Sequence, residues 1–120
     1  MNTFPRNIRP FVTAELAEAR RAADDDASFR HLERAHVLGQ VSTREHVRAH
    51  FHMLVWALRR RRTRELAGQL LRLIGAAALT PVGLVPTGNT GGSNVSPFRP
   101  MPVAPELAAL IARAHGDSTR

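Results

Sequence analysis

Apolar residues of this chain recur at three- and four-residue spacing in four successive segments, which is the periodicity of amphipathic α-helices. The four helices are expected at about 13–23, 27–38, 43–60 and 63–80. Short polar or glycine-containing breaks separate them, so neighbouring helices must run in opposite directions. The sequence therefore predicts an all-α fold in which four helices form two stacked antiparallel hairpins.

Capping residues support these boundaries. Thr13 and Asp26 are suitable N-caps for the first and second helices, Gly39 ends the second, and Ser42 with Glu45 fits a capping box at the start of the third. Residues 1–12, with two prolines and little periodicity, are expected to be an extended lead-in. The apolar faces expected on the third and fourth helices are formed by Val47, Phe51, Leu54, Val55, Leu58, Leu66, Leu70, Leu71, Leu73, Ile74 and Ala77.

The two predicted hairpins are similar units with a period of roughly 36 residues, close to that of tetratricopeptide-type repeats. The signature aromatic residues of that repeat are mostly missing, so we predict only tetratricopeptide-like stacking of helical hairpins. Residues 81–104 contain five prolines and four glycines, which excludes a regular element there. We expect one domain over residues 1–120, with a helical core at 13–80, an irregular wrapping segment at 81–104 and a C-terminal helix at 105–115.

Composition limits the chemistry and the partners of the chain. It has no cysteine, so disulfides, thiolate metal sites and a cysteine nucleophile are excluded. The formal charge is +7 and every basic side chain is an arginine, which favours anionic partners. The N-terminus has no secretory signal and no apolar stretch reaches the length of a membrane span. We therefore expect a soluble, cytoplasmic protein.

Histidines are concentrated around the predicted turn between the second and third helices. Five of the six fall between positions 31 and 52. In an antiparallel hairpin centred near residue 41, His36 and His46 are equidistant from the turn and face each other. His50 lies one helical turn beyond His46, and Glu33 one turn before His36. These four side chains are the predicted ligands of a metal ion.

A divalent transition metal suits this set of donors. Zinc accepts imidazole and carboxylate ligands in tetrahedral geometry and is our first choice, with copper or nickel as alternatives. Val47 follows His46 in place of the glutamate of metallopeptidases, and no nucleophile with its base is evident, so we do not predict an enzyme. The predicted surroundings of the ion, as alternative donors or supporting residues, are His31, His52, Met53, Asn89 and Asn94.

Two other motifs offer alternatives. The glycine- and asparagine-rich segment at residues 88–94 is typical of a tight turn, or it folds over the histidines and closes their site. A basic cluster precedes and begins the fourth helix, at Arg59, Arg60, Arg61, Arg62 and Arg64. The first interpretation of this cluster is a solvated turn. The second is a surface by which a helical interaction module binds a protein partner, and the least favoured is a site for nucleic-acid phosphates. In the last two cases the histidines serve only packing and surface roles.

The sequence resembles a family of short, uncharacterised bacterial proteins known as a domain of unknown function. The resemblance is carried by HLERAHVLGQ at 31–40, HVRAHFHML at 46–54, GQLLRL at 68–73 and GNTGGSNVSPFRPMP at 88–102. It implies no catalytic or metal-binding residue. It does imply that the histidine hairpin and the glycine-rich segment act as one unit, since the family pattern contains both.

Overall fold

The structure is a computed structural model that describes residues 2–83, 89–92 and 100–118. These residues form five α-helices and one 3₁₀ turn, with no strand among them, which confirms the all-α prediction. The elements are α1 (Phe4–Arg21), α2 (Asp25–Gly39), α3 (Thr43–Arg59), α4 (Thr63–Leu79), a 3₁₀ turn (Thr80–Val82) and α5 (Pro105–Ser118). The helices pair as α1 with α2 and α3 with α4, α2 packs on α3, and α5 packs on α1 and α2. None of the described helices is both long and apolar enough to cross a membrane.

The first helix begins at Phe4, so the extended lead-in predicted for residues 1–12 is wrong. Pro5 lies in the first turn, where a missing N–H costs no hydrogen bond, while Pro10 forfeits one bond inside the helix. Burial outweighs that loss, because side chains at four-residue spacing fill the core. They are Phe4, Ile8, Val12 and Leu16, each at most 2% exposed. Thr13, the predicted N-cap, lies mid-helix, and its hydroxyl accepts a hydrogen bond from Arg48.

The caps of α2 and α3 show which polar side chains satisfy the free backbone N–H groups. Asp24, not the predicted Asp26, caps α2 by accepting from the Ala27 N–H at 2.8 Å, since Asp26 already lies inside the first turn. Ser42 caps α3 as predicted and accepts from the N–H of Glu45. The reciprocal half of the predicted capping box is wrong, because the N–H of Ser42 donates to the Gly39 carbonyl instead. The buried Glu45 carboxylate pairs with arginines of α1 and α3, at Arg9 and Arg48.

The third helix turns a different face inward from the one that its apolar spacing predicts. Its buried face is formed by Glu45, His46, Ala49, His50, Met53 and Ala57. Phe51 and Leu58 are more than half exposed, as are Leu70, Leu71 and Ile74 of α4. Ala77, also predicted on this face, is exposed as well, so the apolar-face prediction is wrong for these six residues. Small alanines on the inward side of α3 allow close packing, and the histidines are carried into the interior with them.

The turn between α2 and α3 depends on a glycine at a close contact. A Cβ atom added to Gly39 would lie 2.7 Å from the Cβ of Glu45, closer than packed carbon atoms approach. Gly39 thus permits the end of α2 to lie directly against the start of α3. This contact brings the last turn of α2 beside the first two turns of α3, where the histidines lie.

Candidate metal centre

Three histidine rings from α2 and α3 meet at the end of this hairpin. Nε2 of His36 lies 3.0 Å from Nε2 of His46 and 3.0 Å from Nε2 of His50. One ring nitrogen from each histidine falls within 4.8 Å of the other two. The i, i+4 spacing of His46 and His50 places both on one side of α3, and the antiparallel register brings His36 between them.

The far side of each ring determines where the proton of the neutral imidazole resides. Nδ1 of His36 lies 2.7 Å from the backbone carbonyl of Asn89, which only accepts, so Nδ1 carries the hydrogen. Nδ1 of His50 lies 2.6 Å from Oε1 of Gln69. The amide of Gln69 donates to the Glu65 carboxylate and the Gly91 carbonyl, which orients Oε1 toward the ring. In neutral His36 and His50, Nε2 is therefore bare, with its lone pair directed into the cluster.

The third ring is held by the residue that follows α4. Nδ1 of His46 lies 2.6 Å from the hydroxyl of Thr80, which is buried in the 3₁₀ turn. When this hydroxyl accepts the Nδ1 hydrogen, the lone pair of the third Nε2 also faces the cluster. Every ring thus has a hydrogen-bonding partner behind it, an arrangement that orients metal-binding histidines and sets their tautomer.

Burial keeps the three imidazoles neutral. Desolvation lowers the pKa of His36 well below its ordinary value, and the charges of His50, His46 and Arg72 lower it further. Desolvation and then the charge of His50 lower the pKa of His46 to about 3. Desolvation also lowers the pKa of His50 to about 4, although its hydrogen bond with Gln69 opposes this. At neutral pH the lone pairs are therefore not occupied by protons.

A glycine closes the cluster from the side of the 89–92 segment. Gly91 has φ of +85°, and a Cβ added to it would come within 2.6–2.8 Å of the His36 ring. Its N–H bonds the side chain of Asn89 and its carbonyl bonds Gln69. Both the positive φ and the flat face of the ring therefore require the absence of a side chain here.

Replacing Gly91 by alanine is expected to destabilise the protein by more than about 1 kcal/mol, since alanine is strained at this φ and its methyl overlaps the His36 ring. Urea unfolding would measure the change. Gly75→Ala is the matched control: it lies in α4 with nothing near its added Cβ, and we expect a gain of about 0.5–1 kcal/mol from helix propensity. Equal stability of the Gly91 variant and the original protein would contradict the packing described.

The structure leaves Glu33 outside the group formed by the three histidines. Its half-buried carboxyl group bonds Thr90, and it lines a cleft with Arg30 and Leu107. Burial raises its pKa, against the opposing effect of the Thr90 bond. The side chain is therefore one helical turn from His36 but directed toward the neighbouring cleft.

The predicted supporting residues are distributed over several places. Asn89 lies at the cluster, through its carbonyl on His36. His31 instead pairs with Glu15 of α1 at 2.7 Å. His52 is half-buried beside Phe51, and its pKa is lowered by burial and by nearby arginines. Met53 is fully buried in the apolar core, and Asn94 lies outside the described residues.

The arginines of the basic cluster differ in their surroundings. Arg60 and Arg62 both pair with Asp25 of α2, at 2.6 and 3.2 Å, and both lie over the Trp56 ring. Arg61 forms the turn with φ of 55°, and Arg59 and Arg64 are exposed. Two of the five arginines are therefore engaged within the protein.

Sequence reasoning missed Gln69 and Thr80, which hold two of the three rings. The sequence does contain a signal for Gln69, since it is the one uncharged polar residue in the apolar segment 66–79. In the structure its side chain is fully buried. A buried amide needs polar partners, so an inward glutamine on α4 indicates a polar group opposite it. Thr80 carries no comparable signal, because a threonine before a proline is common at a helix end.

Fold and cluster together define a class: a small all-α protein whose second and third helices enclose three buried histidines able to hold a metal ion. The chain belongs to the family described as a protein of unknown function, DUF3703, whose family model matches residues 6–111. This confirms the resemblance to a domain of unknown function. No curated protein matches the chain significantly, and no solved structure does either.

Proposed function

We propose that this protein binds one divalent transition metal ion, with His36, His46 and His50 as its ligands, and that it serves transition-metal homeostasis. One observation carries the proposal. Nε2 of His36 and Nε2 of His50 lie 3.0 Å apart. The Nδ1 atoms of both rings donate their hydrogens to oxygen atoms on the opposite side, the Asn89 carbonyl and Oε1 of Gln69. Two lone pairs at this distance repel each other unless a cation lies between them, and a metal ion removes that repulsion.

The separations also suit the size of the proposed ion. Zinc binds imidazole nitrogen at about 2.0–2.1 Å, which in tetrahedral geometry places the nitrogens roughly 3.3 Å apart. Nε2 of His36 is 3.0 Å from the Nε2 atoms of both His46 and His50, and ring nitrogens of all three residues lie within 4.8 Å of one another, so ring movements would bring them into position. Zinc is our first choice, and copper or nickel accept the same imidazole donors.

The test is a metal titration of chelator-treated protein, followed by competition with a chromophoric chelator. We expect one zinc ion per chain, bound more tightly than about 10⁻⁶ M. In His50→Gln, one of the three ligands is lost, and the affinity should fall by about 100-fold or more. Elemental analysis of protein purified without chelator would supply an independent stoichiometry.

The matched control is His52→Gln, which makes the same chemical change two residues along the same helix. His52 lies outside the group of three, so this variant should bind zinc as the original protein does. Far-ultraviolet circular dichroism would verify that both variants keep their helices. Equal zinc affinity in both variants, or no binding tighter than micromolar in the original protein, would contradict the proposal.

A further inference from the structure

We infer that the metal ion keeps one coordination position open to an exchangeable ligand, and that a small inorganic anion occupies it. The geometry behind this inference is a face of three neutral imidazole nitrogens with no carboxylate among them. The inference rests on the proposed function and names the class of ligand taken by the same site. Three protein ligands with a vacant fourth position are typical of zinc sites that bind exogenous ligands.

The chain has few ways to supply a fourth strong ligand. Among the described residues, no other histidine or acidic side chain joins the three. The side chains that are not described, at positions 1, 84–88, 93–99 and 117–120, include no histidine, cysteine or glutamate and a single carboxylate, that of Asp117. Glu33 is held by Thr90, and the Glu65 carboxylate bonds Gln69. The fourth ligand is therefore expected to come from solution.

Charge favours an anion at this position. Three neutral imidazoles leave the charge of a divalent ion uncompensated in a buried site, where an uncompensated charge is costly. The nearby charges of Glu65 and Arg72, which both act on His50, have opposite signs and offset each other. A bound anion lowers the net charge of the site directly at the ion.

Burial restricts the ligand to a small one. His36, His46 and His50 are only 2%, 6% and 3% exposed, and the 89–92 segment covers His36 through Asn89 and Gly91. A side chain of a partner protein would have to displace this segment to reach the ion. Hydroxide and other small inorganic anions need much less space.

The experiment uses the full chain loaded with cobalt(II), whose visible absorption reports on its ligands. We expect azide to change the spectrum in a saturable manner, with one anion per ion, while perchlorate at the same ionic strength leaves it unchanged. Glu33→Gln should load cobalt and respond to azide as the original protein does, because its carboxylate is not a ligand.

Each other outcome overturns the inference in a distinguishable way. If cobalt binds, azide has no effect and Glu33→Gln changes the spectrum, then Glu33 closes the fourth position. If cobalt binds and neither azide nor Glu33→Gln has an effect, another group closes it. In both cases the proposed function still stands. If no cobalt binds, the proposed function fails and the inference fails with it.

Discussion

With zinc at about 1,000 times its dissociation constant, the thermal unfolding midpoint is expected to rise by roughly 10–20 °C. The reason is that the three proposed ligands come together only in the folded chain, where the α2–α3 turn and the partners behind the rings orient them. An ion that binds the folded state alone stabilises it, by about 4 kcal/mol at this concentration. Differential scanning calorimetry with and without zinc would measure the shift.

The variants separate site binding from general metal effects. His52→Gln should show the full shift, His50→Gln a small one, and chelator should reverse the shift in the original protein. A zinc effect of the same size in both variants would indicate binding elsewhere, for example to the exposed His115. That result would contradict the assignment of the ion to the three histidines.

The metal-free protein is expected to lose stability steeply as the pH falls from about 6.5 toward 4. The pKa values of His36, His46 and His50 are all lowered in the folded state, to about 3 for His46 and about 4 for His50. Below the ordinary histidine pKa the unfolded chain takes up protons that the folded chain does not, so the free energy of unfolding falls with pH. His50 alone would account for on the order of 3 kcal/mol.

Urea unfolding of the metal-free protein at pH 7, 6 and 5 would measure this dependence. His50→Gln should show a shallower decline, because one of the groups responsible is absent. His52→Gln should change the decline in the same direction but by less, because burial lowers the pKa of this half-buried histidine too, though not as far. A free energy of unfolding that is constant between pH 7 and 5 would show that the rings are not buried in the neutral form.

Several features near the site could be predicted because they depend on local sequence. The spacing of apolar residues predicts α2, α3 and α4, and Ser42 predicts the start of α3 through its side-chain bond. The positions of His36 and His46, at equal distances from the α2–α3 connection, also predict that they face each other, with His50 one helical turn beyond His46. Helix geometry and antiparallel packing are enough to predict this arrangement, and the three rings do lie together.

Other features depend on contacts between distant parts of the chain. Residues 4–12 are helical because Phe4 and Ile8 pack into a core shared with α2 and α5, which the two prolines of this segment conceal. Similarly, the sequence of α3 places its large apolar residues on one face and its alanines and histidines on another. Phe51 and Leu58, which belong to the face with the large residues, are exposed to solvent. Helix period alone does not decide which of two faces packs inward.

Local sequence thus determined that this chain is helical, where its histidine-bearing turn lies and that three imidazoles share one end of a hairpin. The tertiary structure alone decided their chemistry. Gln69, Thr80 and Asn89 come from 19 to 53 positions away to bind the Nδ1 atoms, and only packing of α4 and the 89–92 segment brings them there. Burial by the same elements lowers the pKa values of the rings, because desolvation is a property of the whole surroundings and not of sequence spacing.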